Sequence, residues 1–394
     1  MDEISQPQPG GRRRAIPLAA SSLFVATSLG GIGLVIQLYL KSLDTPLFLI
    51  SLTTTLHGVG MMAGAWIWGT VSDHMKRRPL LALLTGGLSL SLFVLTLLPS
   101  TYVVLSVAVV RSLLFAGTGV VAIAVVSASS TISRRGKNLS YINSSKALGF
   151  ALGNVLAGLV LAAVGFKLTF VMHASFPLLA FASVWFLPSE NPVVHKEKIG
   201  AWKAIFTSGL LDLYLATAFR QMSIFGTFSL LYVYMESVGI PVGLMGIISA
   251  TNTATQVLAL LLFGWLADKL GRRRIFMLGF FMSSVVPLFF VFAANIPGMI
   301  AGYVCLGFSF SALYSGSTAH IGDRVPEHRQ GQMLGLYESS RGLGGLFGPI
   351  IAGAVAPVIG FKGMFVVMAG IAAIGFGIML VGQIKERRVA VTSG

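Results

Sequence analysis

The amino-acid sequence predicts an all-α membrane protein with twelve transmembrane helices, built as two six-helix bundles related by an internal repeat. Three observations carry this. Of the 394 residues, 55% are hydrophobic and only 10% are charged, whereas the surface of a soluble domain draws on ~25% charged residues. Apolar runs long enough to cross a bilayer recur along the chain. The first half returns in the second at a constant offset of 195 positions.

The repeat is clearest around Gly69-Thr70-Val71-Ser72-Asp73-His74-Met75-Lys76-Arg77-Arg78, which returns as Gly264 to Arg273, with Asp268 in place of Asp73. Gly149, Gly153 and Gly158 return as Gly344, Gly348 and Gly353. Gly165-Phe166-Lys167 returns as Gly360-Phe361-Lys362, and Ser144-Ser145-Lys146 as Ser339-Ser340-Arg341. A gap-free match over this length makes the chain two parallel copies of one unit.

With a crossing taken as ~20 mainly apolar residues, spans are expected near 16–40, 47–71, 79–98, 102–126, 139–164, 168–187, 211–235, 242–266, 275–294, 298–319, 333–357 and 363–383. Six precede the polar stretch 188–210 and six follow it. This gives an N-terminal bundle over 1–187, a linker over 188–210 and a C-terminal bundle over 211–394. Lys and Arg concentrate on one side of these spans, at Arg12 to Arg14, Lys76 to Arg78, Arg134, Lys196, Lys269, Arg272 to Arg274, Arg329 and Arg387. The other side holds only Lys41, Lys167 and Lys362. Basic loops stay in the cytoplasm, so a multi-pass protein of the cell membrane with both termini cytoplasmic is expected. The polar residues before the first span lack a small-residue cleavage site after them, so that span is expected to be retained.

Composition also excludes classes. The net charge of +15 is spread over short loops between apolar runs, which fits membrane topology rather than nucleic-acid binding. The single cysteine, Cys305, permits no disulfide framework. There is no phosphate-binding glycine loop with Lys-Ser/Thr and no Cys/His cluster for a metal. An enzyme, a cofactor and an ATP-driven engine are therefore not expected. Transport driven by a gradient remains.

The loops at Gly69, Asp73, Arg77 and Arg78 and at Gly264, Asp268, Arg272 and Arg273 join matched spans. A glycine there admits close approach of a neighbouring helix. An aspartate at the end of a span can accept from a helix N-terminus or pair with arginine. The pair of loops is therefore expected to act as a conformational latch. These residues resemble the loop signature of the major facilitator superfamily, Gly-x-x-x-Asp-x-x-Gly-Arg-Arg. The second copy fits it fully, and the first has Lys76 at the second glycine. The resemblance covers essentially the whole chain. It implies two bundles, a substrate cavity between them and alternation between inward-open and outward-open states, with a monomer as the working unit.

Two glycine lines are expected to pack helices closely. They are Gly149, Gly153 and Gly158 in span 5, and Gly344, Gly348 and Gly353 in span 11, where Pro349 can add a kink. They resemble the Gly-Pro motif of the superfamily's drug–proton antiporters, although there the proline belongs to span 5, which here carries Asn154.

Charges within spans mark function by default. Arg111 lies about nine residues into span 4, ~14 Å along the axis, and resembles the span-4 arginine of the antiporter signature. Arg220 sits at similar depth in span 7. Lys146 and Arg341 occupy matched positions, where they either line a cavity or reach water. Glu338 is the one acid well inside a span, three residues before Arg341 and on its face. His57 matches Asn252, and Gln256 follows one turn later. His173 is the other histidine within a span.

The excess of cations calls for an anion, which arginine grips bidentately. The expected substrate contacts are Arg111, Arg220, His57, Asn252, Gln256 and Tyr337, and the expected proton-coupling groups are Glu338, His57 and Arg341. The expectation is a secondary transporter of a small organic anion, with protons as coupling ion. The alternative is a proton-coupled efflux pump for amphipathic drugs. The partners expected are a small-molecule substrate, protons and membrane lipid.

Overall fold

A computed structural model describes residues 11–72, 74–129, 132–187, 210–322 and 327–392. Every element in it is helical. In chain order these are α1 (Gly11–Leu29), α2 (Ile32–Ser42), α3 (Leu47–Ser72), α4 (Arg77–Leu95), α5 (Thr101–Ser129) and α6 (Ile132–Val184). They are followed by α7 (Leu211–Ser229), α8 (Leu231–Ser237), α9 (Val242–Leu270), α10 (Arg272–Phe292), α11 (Ile296–Gly322) and α12 (Glu327–Thr392). A bilayer offers no partner to an unpaired backbone group, so helices that close their own hydrogen bonds are the available solution.

Among the described residues nine helical stretches are long and apolar enough to cross a membrane. Two of them run for 47 and 49 residues, about twice one crossing. Each bends at a glycine with positive φ, Gly165 at +77° and Gly360 at +74°. These two glycines are repeat mates, so the offset read from sequence is preserved in the backbone. Divided there, α6 supplies the expected fifth and sixth spans and α12 the eleventh and twelfth. Spans 1 and 7 are each broken once. The first breaks where Gly31 takes φ +72° between α1 and α2, and the seventh at Leu230 between α7 and α8.

The outside of the helices confirms the medium. Large apolar side chains such as Trp66, Leu261 and Phe292 stand well exposed, Phe292 at 83%. A soluble surface does not tolerate this many.

By packing, the chain forms two units. The first comprises residues up to Ile36 together with Val59–Lys196. The second comprises Gln37–Gly58 together with Glu197 onward. The stretch from the end of span 1 into span 2 thus packs with the second unit, although it belongs to the first six spans. The expected linker over 188–210 falls almost wholly outside the described residues.

In the first unit α1 lies along α6 with no room for side chains between them. A Cβ at Gly149 would meet Leu23 O and Ala26, and one at Gly153 would meet Thr27 O and Gly30. In the second unit α7 lies along α12 in the same way, with Gly344 against Ala218 O and Gly348 against Met222 O. Gly353 faces Phe48 and Ser51 of α3. Gly158 is buried, and Pro349 lies inside α12. Helices in lipid gain nothing from hiding apolar area from each other, so close backbone contact at small residues is what holds them together. Around these seams Leu80, Leu84, Val121 and Ile142 fill the first unit, and Tyr214, Phe276, Phe280 and Leu313 the second.

Candidate functional site

Each unit holds one arginine buried in the middle of a span, Arg111 in the first and Arg220 in the second. In the first, Arg111 on α5 is 6% exposed, and its Nε is sealed from solvent without a hydrogen bond to any described residue. His173 on α6 lies within electrostatic reach of it. The histidine is fixed by a reciprocal pair of bonds. Ser28 Oγ donates to His173 O at 2.6 Å, and His173 Nδ1 meets Ser28 O at 2.6 Å. A carbonyl only accepts, so Nδ1 carries the proton. In the neutral ring Nε2 is then an acceptor, and it is buried without a described partner. No carboxylate occurs among the described residues of this unit.

In the second unit Arg220 on α7 is 5% exposed and is held by neutral groups. Its Nε donates to Ser283 Oγ at 2.8 Å and its Nη1 to Gln221 Oε1 at 2.8 Å. Ser283 in turn shares a 2.6 Å bond with Ser309 and donates to Gly279 O. Tyr337 and Arg341 on α12 both act on Arg220 electrostatically. Arg341 Nη1 grips both oxygens of Glu338, at 2.9 and 3.0 Å, across one turn as the spacing predicts. Their side chains are 29% and 63% exposed, so this pair is solvent-accessible rather than sealed. Arg220, Tyr337, Glu338 and Arg341 therefore form one neighbourhood.

The other expected contacts lie elsewhere in the same unit. Gln256 Nε2 donates to Asn252 Oδ1 at 3.1 Å one turn away on α9, and Gln256 O accepts from Ser311 on α11. His57 on α3 is half-buried with its Nδ1 sealed. It falls in the stretch of α3 that packs with the second unit.

The loop residues are only partly visible. Asp73 and the side chains of Asp268 and Arg272 lie outside the described residues. No described heavy atom lies within 4 Å of a Cβ built at Gly69 or Gly264. Arg77 is buried, and Arg78 lies over the Trp185 ring at 4.7 Å. Arg273 Nη2 donates to Gln383 O at 2.9 Å and so ties α10 to the last turns of α12.

One arrangement was not expected from sequence. At the break between α7 and α8 the Gln37 amide bonds backbone on both sides. Its Nε2 donates to Phe228 O at 3.0 Å, and its Oε1 accepts from Tyr232 N at 3.2 Å. One turn further, Lys41 pairs with Glu236 at 2.9 Å. Gln37 and Tyr232 are 195 positions apart, and so are Lys41 and Glu236. Each residue therefore meets its own repeat mate. A polar residue facing its counterpart at the repeat offset was the available signal.

The comparisons with known proteins agree with this architecture. The chain is 24% identical over 309 residues to the multi-drug resistance efflux pump PmrA of Streptococcus pneumoniae, covering 76% of this chain and 77% of that one. It is 28% identical over 162 residues to the quinolone resistance protein NorA of Staphylococcus aureus, 41% of each chain. Its backbone superposes on the crystal structure of the nucleoside transporter NupG with a TM-score of 0.79 at 13% identity, over 93% of this chain and 98% of that one. A bacterial homologue of the lysosomal transporter Spinster gives 0.78 at 13% identity, over 95% and 97%. Matches this low in identity speak for the fold alone. The sequence profile of the Major Facilitator Superfamily matches residues 18–236 and 213–393. With both halves of the repeat matched and the two-copy helical fold in place, the chain belongs to the Major Facilitator Superfamily and is a multi-pass membrane transporter of small molecules.

Proposed function

We propose that the protein is a secondary active transporter of a small organic solute carrying an anionic group. It works as a monomer by alternating access, with protons as the coupling ion. The observation that carries this is the pair of arginines buried in mid-span, Arg111 and Arg220, each without a carboxylate partner among the described residues. A charge held in the membrane interior at such cost is retained for what it binds, and a guanidinium matches a carboxylate or phosphate with two parallel bonds. Arg220 is oriented for this role by Ser283 and Gln221, with Tyr337 beside it. Arg111 is the freer of the two, with His173 close by.

The accessible pair Glu338–Arg341 is the place where a proton can be taken up without unfolding the site. Neutralising Glu338 would release Arg341 toward a ligand. The membrane potential sets direction, since each elementary charge is worth ~2.3 kcal/mol per 100 mV. Export of an anion from a negative interior is favoured, and import requires at least compensating protons. The asymmetry of Lys and Arg between the two sides supports cytoplasmic termini.

A second reading, proton-coupled efflux of amphipathic drugs, draws support from the relatives PmrA and NorA and from an interior rich in Phe. Thermal stability of the purified protein separates the two. A ligand specific to the folded state raises stability by ~2.7 kcal/mol at a hundred times its dissociation constant. Aromatic carboxylates and phosphorylated metabolites are expected to raise the midpoint, and Arg111→Gln or Arg220→Gln to remove the effect. Stabilisation by lipophilic cations alone would support drug efflux and overturn the anion assignment.

A further inference from the structure

We propose that a small cavity around Lys146, inside the first unit, binds a monovalent anion of halide size. The cavity opens at its mouth and is lined from α1, α4, α5 and α6. Ser21, Ser22, Thr118 and Lys146 provide its polar wall, and Leu81 and Phe115 part of the apolar one. Its central space is water-sized, which suits a single ion rather than an organic solute.

Ser21 and Ser22 are buried, and their hydroxyls make no hydrogen bond with a described residue. Lys146 likewise has no hydrogen bond or ion pair among the described residues. Thr118 gives its proton to Phe115 O at 2.7 Å, so it lines the cavity without donating into it. One ammonium and two buried hydroxyls that can turn their protons inward face a common space, and the fixed positive charge selects an anion.

The second copy shows what a neutralised version looks like. Lys146 corresponds to Arg341, and Asn143 to Glu338. Where the second copy has a carboxylate bonding its cation at 2.9 and 3.0 Å, the first has a neutral amide. The cavity also disappears from the pattern, since Ser21, Leu81 and Thr118 become Ala216, Phe276 and Leu313. Phe276 and Leu313 are packed core residues. The first unit has no carboxylate among its described residues to replace the missing one. A cation in a low-dielectric setting needs a counter-charge, and a mobile anion supplies it.

This inference is independent of the transported solute, because every group involved lies within one unit and neither buried arginine lines the cavity. It is tested by the thermal midpoint of the purified full chain in sodium chloride against sodium gluconate at equal ionic strength. The midpoint is expected to rise with chloride and saturate, and bromide to act alike. Asn143→Glu, at an exposed position, is expected to recreate the internal pair and flatten the response, as is Lys146→Gln. Ser21→Ala with Ser22→Ala is expected to raise the half-saturating concentration roughly tenfold, the loss of hydrogen bonds to a charged group. Equal midpoints in the two salts would overturn the proposal. So would a chloride response that survives in Asn143→Glu, or one lost in Arg111→Gln but kept in Lys146→Gln.

Discussion

The two copies of the repeat agree in backbone and disagree in charge. Gly165 and Gly360 take the same left-handed turn, and Gly153 and Gly348 seat the same pair of helices against each other. The buried arginines, by contrast, have no mates. Position 306, which matches Arg111, is Leu306, and position 25, which matches Arg220, is Val25. His173 is matched by Met368. The shared positions are those where geometry leaves no choice of side chain. On the proposed reading the differing positions, Arg111, His173 and Arg220, carry the chemistry.

The largest effect is expected where the copies agree. Gly153→Val and Gly348→Val each drive a side chain into the carbonyl of the helix opposite, Thr27 O or Met222 O. Overpacking of this kind costs ~3 kcal/mol or more. Both variants should lose most folded protein, read as monodisperse yield from membranes. A variant that folds normally in one copy only would break the equivalence.

Next come the arginines, where the copies differ. Arg220→Gln removes a charged donor from Ser283 and Gln221, worth ~2 kcal/mol. Both transport and thermal stability should fall. Arg111→Gln breaks no hydrogen bond to a described residue. Transport should fall while the midpoint holds or rises. Equal stability losses from the two substitutions would contradict the assignment of partners.

The contacts of repeat mates come third. Gln37→Leu removes both bonds to the span-7 break and should lower the midpoint by the equivalent of ~1–2 kcal/mol. Gln37→Glu keeps only the acceptor and should fall between. The smallest effect belongs to Lys41–Glu236. Its partners are 38% and 42% exposed, so a double-mutant cycle should give ~0.5 kcal/mol or less, shrinking further in high salt.

The fold was legible because a bilayer leaves the backbone few options. Run length, loop charge and the constant offset gave the span order, left Gly165 and Gly360 between expected spans, and marked the glycine seams. The Glu338–Arg341 pair was legible for the same reason, since three residues along a helix fix the geometry. What sequence did not give was partnership across helices. Gln37 reads as one polar residue among many in the spans, and only the fold brings it to the backbone of Phe228 and Tyr232. His57 and Arg111 both read as belonging to the N-terminal bundle, yet the stretch that carries His57 packs with the second unit. His173 reads as a titratable group, and it is pinned through Nδ1 by Ser28. The glycines at 69 and 264 read as contact points, and both face open space among the described residues.

The most direct test of the central claim is transport in proteoliposomes, with an aromatic carboxylate and a lipophilic cation followed in parallel under an imposed membrane potential. The account predicts saturable movement of the carboxylate, a rate that depends on the pH gradient, and at least a tenfold loss in both Arg111→Gln and Arg220→Gln, which corresponds to ~1.4 kcal/mol. Movement of the cation alone, unchanged in the two arginine variants, would contradict it.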